Sequence, residues 1–215
     1  MKTMGTWFAA ITLVAFSSLA NAGIVTFSAY VNDGAFAAAS GATSLTGALP
    51  NLGAQGTSVT LGGATLTAGN TIFVGSGWSS LMPGGNAIAI SGKENLGISI
   101  NTGASTAFGF YFHEPSQSSA QLDGCNATCV DSIFNLEFSL GGSYVDDVNL
   151  VAAKDKLNFF GAILNQTFDS VTVTETTGGI DNEFFGEMFV ARVPEPGTFI
   201  LLLSGIIGLA LRRRA

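Results

Sequence analysis

Apolar positions fall into three regimes along the chain. Trp7, Phe8, Ala9, Ala10, Ile11, Leu13, Val14, Ala15 and Phe16 form a nearly unbroken apolar run near the start, and residues 198–211 form another near the end. Between them no stretch sustains the 3.6-residue period of an amphipathic helix, while several alternate with the two-residue period of a half-buried strand. Strands are predicted over residues 24–30, 58–61, 71–74, 87–91, 96–100, 106–113, 132–140, 157–164, 168–175 and 183–192. Gly62-Gly63, Gly84-Gly85 and Gly92-Lys93 fall between predicted strands and suit tight turns. The strongest strand reads TAFGFYFH over 106–113. It places Thr106, Phe108, Phe110 and Phe112 on a core face, and Ala107, Gly109, Tyr111 and His113 on the other. Residues 34–56, rich in Ala, Gly and Ser, form a long loop or carry a short helix over 34–40.

Many short strands with glycine-rich turns predict an all-β fold, an antiparallel two-sheet jelly-roll-like sandwich. A signal helix precedes it and a transmembrane helix follows. The expected domains are a signal peptide over 1–22, a β-sandwich over 23–192 and a sorting signal over 193–215.

Composition agrees with extracellular β-structure: 11% of residues are charged, 28 are glycine and 17 are phenylalanine. Charge narrows the function. Lys2 and Arg212–Arg214 sit in the two ends, which leaves Lys93, Lys154, Lys156 and Arg192 against every acidic residue but Glu195. So acidic a body repels a polyanion, and nucleic-acid binding is excluded.

At the start, Met1 and Lys2 precede the apolar run, and Ala20-Asn21-Ala22 supplies the small-x-small pattern of signal-peptidase sites. The run is short for a membrane anchor, so cleavage between Ala22 and Gly23 is expected. At the end, Pro194-Glu195-Pro196 precludes a helix interior. The apolar stretch that follows, about 14 residues or roughly 21 Å as helix, is marginal for a hydrocarbon core of about 30 Å. Arg212, Arg213 and Arg214 then act as a stop-transfer cluster held on the cytoplasmic side.

Pro-Glu-Pro, a short membrane segment and terminal arginines on an exported chain resemble the PEP-CTERM sorting signal. The resemblance implies processing near Pro194–Pro196 by an exosortase, a membrane-embedded cysteine peptidase. It also implies passage through the inner membrane of a Gram-negative host, often one that makes exopolysaccharide, and delivery to the cell surface or outside. The body adds a second resemblance, over about residues 96–193. Leu157-Asn158-Phe159-Phe160-Gly161, Phe168-Asp169-Ser170-Val171-Thr172-Val173 and Gly179-Ile180-Asp181-Asn182 resemble the closing strands of a jelly-roll domain of PEP-CTERM proteins, and Thr106–Phe112 resembles its earlier AFGF strand. Glu183 stands where that domain often has an apolar residue.

Candidate chemistry is sparse. Cys125 and Cys129, four positions apart, are expected to form a small disulfide loop worth about 1–3 kcal/mol, in preference to a metal or redox site. His113 is the chain's one histidine. With no Gly-x-Ser-x-Gly elbow, it reads as a surface residue at a strand end and not as a catalytic base. Asp181, Glu183 and Glu187 share a strand face but lack the spacing of sandwich glycosidases, so they read as solvated. Asp146, Asp147 and Asp181, with Asp155 and Asp169, offer oxygen ligands suited to calcium, and no other cofactor is implied. Trp78, in Gly75-Ser76-Gly77-Trp78-Ser79-Ser80, either plugs one end of the sandwich or offers a flat face to a sugar ring.

The expected function is that of a non-catalytic surface or matrix protein associated with exopolysaccharide or the outer envelope. A carbohydrate-binding module is the alternative and a secreted glycoside hydrolase a more remote one. Signal peptidase and exosortase are its processing partners.

Overall fold

A computed structural model describes residues 25–29, 33–93, 95–115, 133–151, 156–177 and 183–193. Ala22, Gly23, Cys125, Cys129, Asp181, Pro194, Glu195, Pro196 and Arg212–Arg214 lie outside the described residues, as do both terminal apolar runs.

The chain forms an antiparallel two-sheet sandwich. One sheet has eight strands. Its main path runs β1 (Val25–Ala29), β12 (Lys156–Phe168), β9 (Ser105–Glu114), β14 (Phe184–Arg192), β7 (Asn86–Ile90), β6 (Ile72–Ser76) and β3 (Gly53–Ala54), with β2 (Thr43–Ser44) paired to β14. The other has six: β11 (Ser143–Val151), β10 (Ile133–Leu140), β13 (Ser170–Thr177), β8 (Leu96–Ile100), β5 (Ala64–Ala68) and β4 (Ser58–Leu61). From β7 onward the chain passes repeatedly from one sheet to the other, as in a jelly roll.

Phenylalanines fill the space between the sheets. Phe110 lies near the centre, its ring centroid 5.6 Å from Phe108, 5.8 Å from Phe160, 6.0 Å from Phe185 and 6.2 Å from Phe112. These are the offset and edge-on spacings that aromatic quadrupoles favour. Phe134 and Phe138 from β10 and Val171 and Val173 from β13 close the core from the six-stranded side.

The predicted core face of β9 is therefore correct, but its opposite face is buried too. A second apolar cluster of Phe36, Met82, Ala87, Ala89, Ala107, Tyr111, Phe159, Phe184 and Ala191 coats the outside of the eight-stranded sheet. Two segments cover it. The first is the helix α1 (Asp33–Ser40), which ends where Gly41 turns left-handed (φ 69°) and donates its N–H to the Ala37 carbonyl. Its Phe36 settles over Gly109 and Gly161, which face each other across β9 and β12. A Cβ on Gly161 would lie 2.6 Å from the Phe36 ring, so the glycines of the AFGF and FFG strands make room for it. The second is the strap 77–85 between β6 and β7, whose Met82 sulfur rests over Gly186.

The six-stranded sheet differs. Its outer face carries Ser58, Thr60, Thr65, Thr67, Gly97, Ser99, Thr172, Thr174, Asn135, Glu137, Asp147 and Asn149, and no lysine or arginine occurs in its six strands. It is open to water.

Candidate functional site

Two surfaces present side chains able to meet a ligand, one on the outside of each sheet. The first is built on the strap. Trp78 follows β6 by two residues, stays 39% exposed and packs on Phe73, with ring centroids 5.3 Å apart and planes at 48°. Phe73 itself packs against the outer apolar cluster, so Trp78 rests on the covered flank of the eight-stranded sheet with one part still in water. It is not inserted between the sheets, where a plug would sit.

Ser79 fastens this loop. Its Oγ lies 2.8 Å from Nδ1 of His113 and accepts the Leu81 N–H at 3.2 Å. Both side chains are buried, with Ser79 5% and His113 8% exposed. His113 is thus not the surface residue expected at a strand end. The strap crosses over β9, and Phe184 of the neighbouring strand lies with its ring 6.0 Å from the imidazole. The Ser–His contact also departs from hydrolase geometry, in which the nucleophile meets Nε2 and the orienting acid takes Nδ1.

The acidic residues expected to be solvated divide. Glu187 on β14 is half-buried and accepts a hydrogen bond from the Ser44 hydroxyl. Glu183 is 1% exposed, at the end of the sandwich where Glu114 is also fully covered, which corrects its reading as a solvent-facing residue. Beneath α1, Tyr111 donates a 2.6 Å hydrogen bond to Asp33. Burial first, and then that carboxylate, push the Tyr111 phenol well above its ordinary range.

The second surface lies at the β10–β11 corner of the six-stranded sheet. Tyr144 is 60% exposed, and its hydroxyl donates to Oδ1 of Asp147 at 2.6 Å. Asn135 donates to the other carboxylate oxygen of Asp147 at 2.7 Å and to Oδ1 of Asn149 at 3.3 Å. Glu137 stands directly opposite Asp147 across the strand pair. The hydrogen bond to Asp147, above all, raises the Tyr144 phenol to about 12, with burial and the charges of Asp147, Asp146 and Glu137 adding to it. The bonds from Tyr144 and then Asn135 hold the Asp147 carboxyl below its ordinary value. Asp146 does not join Asp147 as a ligand set: a bulge after Phe138 leaves it opposite that inward residue, and its Oδ1 accepts the Asp147 N–H at 2.9 Å. Among the described residues no three His, Cys, Asp or Glu side chains come together to hold a metal ion.

Ser79, Phe73, Tyr144 and Asn135 were missed by sequence reasoning. A Tyr-x-x-Asp pair on one strand was the only signal available for the second surface, and the bulge that brings its members to one face leaves no mark in the pattern.

A β-sandwich with solvent-facing aromatics on its two outer flanks is an architecture of binding proteins as well as of enzymes. The sorting class is set by the chain's end: residues 192–214 match the model of the PEP-CTERM protein-sorting motif, so the chain carries that motif. A PEP-CTERM motif implies export, processing by a membrane-bound exosortase and arrival at the cell surface. No curated protein sequence matches the chain. Among solved structures it is similar to a mutant of the family 29 carbohydrate-binding module CBM29-2, with 9% identity over 69% of this chain and 89% of that one and a TM-score of 0.37. It is also similar to the C-terminal family 22 carbohydrate-binding module of Clostridium thermocellum Xyn10B, with 13% identity over 66% and 94% and a TM-score of 0.42. Likeness this distant has no bearing on ligand.

Proposed function

We propose that this chain is a non-catalytic surface or extracellular-matrix protein of a Gram-negative bacterium that associates with exopolysaccharide, using Trp78 as a sugar-stacking face. One observation carries the reading. Trp78 is partly exposed, braced from behind by Phe73 and fixed at its neighbour by the Ser79–His113 bond, so its orientation is set before a ligand arrives. A rigid aromatic face loses little entropy on binding, which is what a weak, repetitive ligand such as a polysaccharide needs. The buried Ser79 hydroxyl, tied to Nδ1 and to a backbone amide, serves as a fastener and not as a nucleophile.

Processing completes the proposal. Signal peptidase cuts between Ala22 and Gly23, and exosortase acts near Pro194, Glu195 and Pro196. Arg212–Arg214 hold the tail at the inner membrane until then. The sandwich over 23–192 is released or displayed with Cys125 and Cys129 joined as a disulfide.

Affinity electrophoresis of the protein in gels containing the host's own exopolysaccharide tests the binding arm. Trp78→Ala is expected to weaken the retardation of the native protein severalfold. Equal retardation of both removes Trp78 from the reading.

A further inference from the structure

The β10–β11 corner has a feature that its own sheet does not explain. Glu137 and Asp147 face each other directly on neighbouring strands, an arrangement that like charges destabilise. No lysine or arginine in the sheet's six strands offsets the repulsion. Tyr144, the one aromatic ring on the described outer face of that sheet, donates its hydroxyl to Asp147. Asn135 and Asn149 extend the patch, and Thr172 and Thr174 border it on β13.

Each part has a counterpart in one class of ligand. An ammonium group relieves the Glu137–Asp147 repulsion and is attracted to the face of a tyrosine ring. The apolar face of a pyranose stacks on that ring. Asparagine amides and threonine hydroxyls suit its hydroxyls, since each can donate and accept. A polyuronate meets only like charge here.

We infer that this corner is a second docking surface, for a polysaccharide that bears free amino groups, on the face of the sandwich opposite Trp78. The inference rests on the glycan-associated reading above and specifies a glycan class within it. Asp147 is its central acceptor, held in place by Tyr144 and Asn135, and Glu137 supplies the second charge. A divalent cation is a poorer fit, because Asp146 lies opposite the inward Phe138 and not on the face of Asp147.

Protein recovered from the host is titrated with a glucosamine oligomer, with the fully N-acetylated oligomer of equal length and with a polyuronate. The glucosamine oligomer is expected to bind at least tenfold more tightly than either, and to weaken as salt is raised. Tyr144→Ala, and Glu137→Gln combined with Asp147→Asn, are each expected to cost tenfold or more with the melting temperature little changed, while Tyr144→Phe keeps most of the affinity. Equal binding of the acetylated oligomer overturns the inference. So does affinity that survives Tyr144→Ala but is lost with Trp78→Ala, an outcome that leaves the Trp78 reading standing. Binding of calcium at these carboxylates without the glucosamine oligomer also overturns it. A native protein that binds no glycan of any class removes both proposals.

Discussion

Gly161→Ala puts the packing of the outer face to a quantitative test. Gly161 has extended backbone, so an alanine there meets no conformational strain, and the question is one of space alone. Its Cβ would sit 2.6 Å from Cδ2 of Phe36 and 3.0 Å from Cε2 and Cγ, well inside contact distance. Phe36 is 1% exposed, so its ring has to move out or the strand has to give. Overpacking of this kind costs about 1–3 kcal/mol. The ceiling is set by expelling the ring, since burying a phenylalanine is worth about 1.5–3 kcal/mol. For a domain of this size 2 kcal/mol lowers the melting temperature by roughly 4–8 °C. Phe36→Ala alone removes the ring and leaves a cavity, at about 3–5 kcal/mol. In that background the added methyl fills vacated space, so Gly161→Ala turns neutral or mildly stabilising. Urea unfolding of the four proteins gives the coupling directly, expected at about 1–3 kcal/mol for residues in contact. The same cost for Gly161→Ala with and without Phe36 would falsify the account of why these strands carry glycine.

The strap can be followed by fluorescence. Of the chain's two tryptophans Trp7 lies in the expected signal peptide, so Trp78 is the sole emitter of a protein that begins at Gly23. Ser79→Ala removes the 2.8 Å bond to His113 and is expected to red-shift that emission, at a stability cost of about 0.5–1.5 kcal/mol for one lost hydrogen bond; unchanged emission contradicts the fastener. Tyr144, raised to about 12 by its bond to Asp147, is expected to ionise late in a 295 nm titration and to return toward 10 in Asp147→Asn. Because the folded value is the higher one, the bond's small contribution is complete below pH 10 and fades as pH rises toward 12. Asp147 has the opposite sign: its folded value is depressed, so its contribution is present above about pH 4 and is lost on acidification. A Tyr144 that titrates at 10 in the native protein contradicts the hydrogen bond. Intact mass of the protein recovered from the host is expected to begin at Gly23 and to lack Arg212–Arg214; a retained arginine cluster contradicts exosortase processing.

The sandwich was legible wherever apolar and polar residues alternate cleanly. Residues 58–61 and 96–100 coincide with β4 and β8, and the helix over 34–40 falls within a residue of α1. Four strands were missed: β2 and β3 are two residues each, too short to show a period, and β5 and β11 were hidden for different reasons. In β5, Ala64-Thr65-Leu66-Thr67-Ala68 alternates well, but its inward alanine hides the signal that a larger side chain would give. In β11 the bulge opposite Ser139 breaks the alternation of residues 143–151, so no strand was predicted there. The buried outer face of β9 was illegible for a deeper cause. Period two shows that a strand has two faces, but only the tertiary fold tells that α1 and the strap cover the second. His113 and Glu183 were read as solvated because their covering partners lie far away in sequence.

The two outer faces also decide where a ligand can reach this sandwich. The eight-stranded sheet is apolar on both sides, so its outside had to be closed, and α1 and the strap are drawn from glycine- and alanine-rich connections to do it. A ligand meets that side through what the cover leaves showing, and among the described residues the largest aromatic surface left there is Trp78. The six-stranded sheet has serine, threonine and asparagine outside and needs no cover, so a ligand meets its strands directly. Surfaces back to back across a two-layer domain cannot close around one sugar, but they can hold two separate chains. Each contact can then be weak, because a polymer offers many copies of its repeat and the second engagement occurs at high effective concentration. On the two proposed surfaces the sandwich would join polysaccharide strands, and removal of either Trp78 or Tyr144 would end the joining while leaving single-strand binding in place.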